Sequence, residues 1–279
     1  MNIFNKYPFL IAGIGDDFQV IAEKEGISDV DAIKYVIDEA RDCGINAVKL
    51  QPYKSQNHFL DQSAISSSFT IDEYREIAEY CRNIGMKFLL TPLDLKSVDD
   101  FDEFLDIFCI SSADLTNIPF IEYVASKNKP ILLFTGASTL REIKQAIIAI
   151  ENVSMVDIAI FHVVLSYPVD YNDANLLMIN DLAENFPDYE IGYCDNTVPD
   201  DNMAVLTTAY NYGATILEKL FTIDKSLTDC EYAMDADDVI KFNWNVNFIS
   251  KVNGMKNKQP VICESSAIRE MRKLSESKK

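Results

Sequence analysis

Short apolar runs recur along this chain between longer stretches in which apolar residues return every three or four positions. Three times the change from one period to the other happens at a glycine: Gly44 leads into 45–51, Gly85 into 86–91 and Gly213 into 214–219. A glycine just past a helix closes it in the left-handed conformation, and a short apolar run directly after it reads as a strand buried on both faces. Helix, glycine, buried strand is the repeating unit of a parallel α/β fold. Candidate strands fall at 19–23, 47–51, 87–91, 107–111, 130–135, 157–163, 189–193 and 215–219. Eight such units predict an α/β TIM (β/α)8 barrel, which needs roughly 250 residues.

Between the strands the helical period is clear, as in 29–41, where Val30, Ile33, Ile37 and Ala40 share one face. Thr70 with Glu73 and Thr139 with Glu142 have the spacing of capping boxes, so these threonines are read as structural. Ahead of the first candidate strand, the apolar run 9–14, the turn-forming Gly15-Asp16-Asp17 and the run 18–22 together predict an N-terminal β-hairpin closing the barrel floor. The expected organisation is a hairpin over 1–18, a barrel over 19–255 and a polar linker or tail over 256–279.

Charge narrows the function. Among 279 residues, 25 Lys plus Arg face 44 Asp plus Glu, a net charge of −19 that repels nucleic acid and anionic membrane surfaces. An anionic small substrate would need its own local cations or backbone N–H groups. Six cysteines without metal-ligand spacing read as free thiols in a reducing, cytoplasmic setting, and no leader or membrane span is expected.

Carboxyl ends of barrel strands are where this architecture keeps its chemistry. They would gather Glu23, Lys49, Gln51, Lys54, Thr91, Ser111, Ser112, Asp114, Thr135, His162, Asp195, Asn196, Glu218 and Lys219 on one rim. Lys49 and Lys219 lie inside apolar strands, where an unpaired ammonium is expensive, so each is either paired or functional. They can hold a phosphate or carboxylate, with hydroxyls donating to it and Glu23 or Glu218 exchanging protons. A metal would require His162 with Asp195, Asn196 or Glu218, an oxygen-rich set that suits Mg or Mn. A lone strand-end histidine is equally readable as structural, and Asp114 and Asn117 as caps of the next helix.

The segments Val48 to Lys54, Leu90 to Asp94, Ile110 to Asn117, Thr135-Gly136, His162 to Pro168, Gly192 to Thr197 and Glu218 to Thr222 resemble, in order, the motifs of the sialic acid (N-acetylneuraminate) synthase family. Ile21-Ala22-Glu23 looks like its first-strand motif. The resemblance implies a barrel that condenses phosphoenolpyruvate with an N-acylated aldose to a 2-keto sugar acid in surface-glycan biosynthesis, using a divalent metal, Mn or Mg, to polarise the sugar aldehyde. It also implies Glu23, Lys49, Glu218 and Lys219 as catalytic groups and Gln51, Lys54, Thr91, Ser112, Asp114, Thr135 and Tyr167 as substrate contacts, with His162, Asn196 and Asp195 at the metal. A homodimer or a hetero-oligomer with a homologue is implied as well.

Against the family pattern, Asn196 stands where a second metal histidine is expected, Cys109 where a lysine is, Phe134 where a serine is, and Leu220 where a histidine is. The first-strand motif runs into 25–28 with no histidine, and an Asp-His pair becomes Asp229-Cys230. His58 and His162 are the chain's two histidines. The resemblance further implies a small antifreeze-like domain beyond a linker that resembles 260–269, so recognition of an N-acyl group would call on another chain. These substitutions imply a metal held weakly or lost. The reading placed first is a divergent synthase, and the reading placed second is a catalytically degenerate barrel that binds or scaffolds an active homologue.

Overall fold

A computed structural model describes residues 4, 8–50, 69–227 and 231–271. Its strands are β1 (Phe9–Ile14), β2 (Ala47–Leu50), β3 (Lys87–Leu90), β4 (Phe108–Ile110), β5 (Ile131–Phe134), β6 (Ile158–Val163), β7 (Glu190–Asp195) and β8 (Ile216–Phe221). All the pairings between them are parallel, in the order β3-β2-β1-β8-β7-β6-β5-β4. The two ends, β3 and β4, lie against each other without a hydrogen-bonded ladder, so the sheet is a nearly closed TIM barrel.

Around it run α1 (Asp17–Glu25), α2 (Asp29–Cys43), α3 (Ile71–Asn83), α4 (Leu95–Asp102), α5 (Ile118–Ala125), α6 (Leu140–Val153), α7 (Met178–Asn185), α8 (Ala204–Asn211) and α9 (Ala236–Asn253). The glycine punctuation holds: Gly44, Gly85 and Gly213 have φ of 107°, 79° and 105°, each between a helix and the strand that follows. Both threonine capping boxes form, at Thr70 on α3 and Thr139 on α6. After α9 the chain runs along exposed residues to a short α10 (Ser265–Met271) that packs on the turn before it.

The expected N-terminal hairpin is corrected. The run 9–14 is itself a barrel strand, paired in parallel with β2 and β8, and the run expected as the first strand lies in α1. Phe18, Ile21 and Ala22 are buried at helical spacing, whereas Glu23 is exposed. Phe4, ahead of β1, stacks on Phe9 with ring centroids 3.5 Å apart, so part of the barrel floor is closed by a phenylalanine pair.

Strand pleating sorts the core into two shells. Phe9, Ile11, Ala47, Leu89, Ile107, Cys109, Leu132, Phe134, Ala159, Phe161, Val163 and Ile216 fill the lumen. Their strand neighbours, among them Leu10, Val48, Leu90, Ile110, Leu133, Ile160, Tyr193 and Leu217, pack outward against the helices. The same alternation decides where each polar strand-end residue goes.

Candidate functional site

Residues at matched register on parallel strands share a face, and Glu218 is level with Ile11 and Cys194, while Lys49 is level with Gly13. Lys49 and Glu218 therefore enter the lumen from the two strands flanking β1, and they meet there as an ion pair. Both are buried, with 6 % and 5 % exposure. The Lys49 ammonium also lies 4.2 Å from the centroid of Phe134, which stacks on Phe161 at 4.6 Å. Burial alone would pull this ammonium down, and the Glu218 charge outweighs it, so Lys49 is held above the ordinary lysine value. The second Glu218 oxygen, Oε2, is buried with no hydrogen-bond partner. Cys109 faces the same space, its thiol pushed up by burial to about 12, which makes it an inert wall rather than a nucleophile.

Lys219, one residue further along β8, faces the other way. It is level with Asp195, and its Nζ lies 2.9 Å from Asp195 Oδ2 and donates to the Thr197 carbonyl at 2.5 Å. Asp195 Oδ1 accepts from the Thr197 N–H at 2.9 Å, the Thr197 hydroxyl at 2.8 Å and the Tyr193 hydroxyl at 3.2 Å. Burial and the Asp195 charge push the Tyr193 phenol far up, so it stays a donor. Every member of this network is satisfied, and it belongs to the shell between sheet and helices.

His162 is level with Tyr193 and stacks on it at 5.6 Å. Its Nε2 lies 2.9 Å from the Ala174 carbonyl, which can only accept, so that nitrogen carries the proton and offers no lone pair. Burial lowers its pKa, only partly offset by that hydrogen bond, and keeps the ring neutral. Asn196 donates through Nδ2 to the Val164 carbonyl at 3.0 Å. The expected metal set of His162, Asp195 and Asn196 is corrected at Asp195, whose carboxylate serves Lys219. Asp195 is occupied by an ammonium and three donors, His162 keeps its Nδ1 lone pair while Nε2 donates to the Ala174 carbonyl, and no three His, Cys, Asp or Glu groups converge on a metal position among the described residues. His162 Nδ1 and Asn196 Oδ1 are left as two neutral donors, a weak set for a divalent ion.

The other expected residues scatter. Glu23 is on the exposed face of α1, so its catalytic assignment is corrected: the mouth-side lumen position of β1 is Gly13, which has no carboxylate. Thr91 is buried at the end of β3, and the Thr135 hydroxyl is spent on the Phe161 carbonyl at 2.8 Å. Ser112 accepts from the Gly136 N–H at 2.9 Å, tying two mouth loops together. Asp114 accepts from the Ser111 hydroxyl at 2.8 Å and Asn117 reaches it at 3.5 Å, a local turn rather than a helix cap. Tyr167 is 61 % exposed beside Tyr232. Gln51, Lys54, His58, Asp229 and Cys230 lie outside the described residues.

Two features escaped sequence reasoning. Asp16 and Asp17, read as a hairpin turn, sit at the carboxyl end of β1, where Asp17 accepts from the Thr222 hydroxyl at 2.7 Å. Burial raises the pKa of both carboxyls, and for Asp16 the adjacent Asp17 charge adds to it. Gly192 is the other: a Cβ there would stand 2.7 Å from the Phe161 ring, so this glycine is what lets Phe161 lie across the lumen. Its position inside an apolar strand was a usable signal of close approach.

The five described cysteines are free; Cys81 and Cys109 are buried, Cys43 and Cys194 half-buried, and Cys263 exposed. No described helix is long and apolar enough to cross a membrane.

Comparison with known proteins agrees with this architecture. An uncharacterized protein of Methanocaldococcus jannaschii is 34% identical over 94% of this chain and 79% of its own length. The N,N'-diacetyllegionaminic acid synthase of Campylobacter jejuni is 28% identical over 90% of this chain and 77% of its own. The solved N-acetylneuraminic acid synthetase of Leptospira borgpetersenii superposes with a TM-score of 0.79 at 26% identity, covering 94% of this chain and 90% of that one. The NeuB family model matches residues 36–258, and the chain belongs to the NeuB family.

Proposed function

We propose that this protein is a non-condensing NeuB-type barrel, a binding or scaffold subunit that works beside an active homologue in surface-glycan biosynthesis. The observation that carries this reading is charge compensation in the lumen: Lys49 is neutralised by Glu218 and capped by Phe134. Lys219, the other lysine assigned to the donor substrate, is turned out of the lumen and neutralised by Asp195. Phosphoenolpyruvate carries a phosphate and a carboxylate, and each charge-assisted contact it lacks weakens binding by about 1.5–3 kcal/mol, one to two decades. Cys109 supplies no such contact, and Asp16 and Asp17 place carboxyls at the mouth that an anion must approach. Of the groups assigned to the metal, Asp195 is paired with Lys219, which leaves only His162 Nδ1 and Asn196 Oδ1 as neutral donors.

The buried, unpartnered Glu218 Oε2 favours a second reading, in which the barrel still condenses phosphoenolpyruvate with an aldose or another aldehyde. An orphan carboxylate oxygen inside a lumen is the kind of atom that a substrate hydroxyl satisfies. Calorimetric titration of phosphoenolpyruvate into the protein, with and without Mn, separates the two, together with a phosphate-release assay in the presence of N-acetylmannosamine. The expected result is no saturable binding at low millimolar ligand, no phosphate release, and co-purification with an active synthase when the two are co-expressed. Metal-enhanced binding with phosphate release would overturn the first reading in favour of the second.

A further inference from the structure

The ring of helices around the barrel is not equally closed. Helix α6 packs closely on α5 and barely touches α7, which is eight residues long against the fourteen of α6. That makes α7 about 9 Å shorter, and between the two helices lies a groove with a cavity of about 420 Å³. Its floor is apolar, with Ile147 and Phe186 buried, and Ile148 forms a wall that is 45 % exposed. At one end stand Arg141 and Lys144, a turn apart on α6. At the other end the Tyr189 hydroxyl donates to Glu151 Oε1 at 2.6 Å, and Tyr189 sits edge-on to Phe186 with ring centroids 6.4 Å apart, so that end is bridged.

Charge singles out the open end. Lys34 and Arg41 on α2, Arg75 on α3 and Lys96 on α4 each hold a carboxylate. Arg141 and Lys144 are exposed and make no ion pair or hydrogen bond among the described residues, although the chain carries 44 Asp plus Glu against 25 Lys plus Arg. Two uncompensated cations one turn apart repel each other, and an anion between them turns that repulsion into two charge-assisted contacts. The apolar floor begins one turn further on, at Ile147, and runs to the Tyr189–Glu151 bridge, about 10 Å from Lys144 along the helix. An anionic headgroup on an apolar chain matches that order of residues. The bridge blocks the end through which a partner helix would have to continue, and the volume is that of a small-ligand pocket, roughly 300–1,000 Å³.

We infer that the groove between α6 and α7 is a binding site for a single-chain anionic amphiphile, a carboxylate or phosphate monoester held by Arg141 and Lys144 with its apolar chain over Ile147, Ile148 and Phe186. The site lies on the flank, behind the sheet, and shares no residue with the lumen pair, so it stands whether or not the barrel condenses phosphoenolpyruvate. Its selectivity runs against the field of the molecule. A net charge of −19 draws cations to the surface as a whole, so a preference for an anion has to come from the two local cations.

Isothermal titration of the full chain with decanoate, below its micellar range, should show one saturable site with a dissociation constant on the order of 0.1 mM. Decylammonium, with the same chain and the opposite charge, should bind roughly tenfold more weakly or not at all, and added salt should weaken decanoate binding. Arg141→Gln combined with Lys144→Gln should lower decanoate affinity roughly tenfold, and Ile148→Gln roughly threefold, with unfolding midpoints unchanged because all three side chains are exposed. Decyl phosphate titrated alongside decanoate tells which headgroup the two cations prefer, and tighter binding of either supports the site. Absence of saturable binding at low millimolar ligand overturns the inference. So does decylammonium binding as well as decanoate, which would be adsorption to apolar surface, or decanoate affinity that is unchanged in either variant, which would place the ligand elsewhere.

Discussion

Two buried lysine–carboxylate pairs meet at adjacent residues of β8, Glu218 and Lys219, and they are built differently. In the outer shell, Lys219 has two acceptors and Asp195 has four donors, so no polar atom of the pair is wasted. In the lumen, Lys49 has one carboxylate and an aromatic face, and Glu218 leaves an oxygen bare. A fully connected network braces the fold, because removing any member strands the others. A half-satisfied pair contributes little to stability. A chemistry-bearing residue at a strand end does not by itself make a site: Lys219, expected at the donor substrate, serves the wall of the barrel.

Breaking the outer pair should have the largest effect. Lys219→Met is expected to destabilise by about 3–5 kcal/mol, near the lower end because Asp195 keeps its Thr197 and Tyr193 donors. Urea unfolding midpoints measure it. Replacing both partners separates the two regions further. Lys219→Met with Asp195→Leu leaves buried donors on Thr197 and Tyr193 and should still cost about 1–3 kcal/mol for each one stranded. Lys49→Met with Glu218→Leu should instead be neutral or stabilising by up to about 4 kcal/mol. A lumen double variant that unfolds more readily than the outer one would reverse the comparison.

Gly192→Ala tests whether the lumen is packed as a core. Its Cβ must displace the Phe161 ring, and overpacking of this kind costs about 1–3 kcal/mol. No loss of stability would mean that the ring moves freely and the lumen is a pocket. The smallest effect belongs to His162. Its folded pKa lies below the unfolded value near 6.5, so the unfolded state takes up the proton first. Stability is therefore undiminished above about pH 6.5 and falls as the pH drops through that value toward the folded pKa. Unfolding midpoints at pH 7 and pH 5 should differ more in the wild type than in His162→Phe. Equal differences would show that His162 carries no such burial penalty.

Each of the strands β2 to β8 overlaps an apolar run identifiable in the sequence, and the left-handed glycines at 44, 85 and 213 mark three of their starts. The first strand is the element that local pattern does not locate. The runs 9–14 and 18–22 are both short and apolar, and periodicity over five or six residues does not separate a strand from a helix turn. What separates them is that 9–14 pairs with β8, more than two hundred residues away. The motif moves with the strand, which puts Gly13, Asp16 and Asp17 rather than Glu23 at the end of β1.

Local signals along the chain determined the barrel class, most of its elements, the caps and the identity of the family, because helix stops, strand runs and motif spacing are written in neighbouring residues. The division of polar residues between lumen and outer shell was decided only by tertiary structure. Parallel barrel strands are apolar on both faces, so no alternation tells which parity turns inward. One step along a strand reverses the face, and that step separates Glu218, paired across the lumen with Lys49, from Lys219, locked to Asp195 behind the sheet.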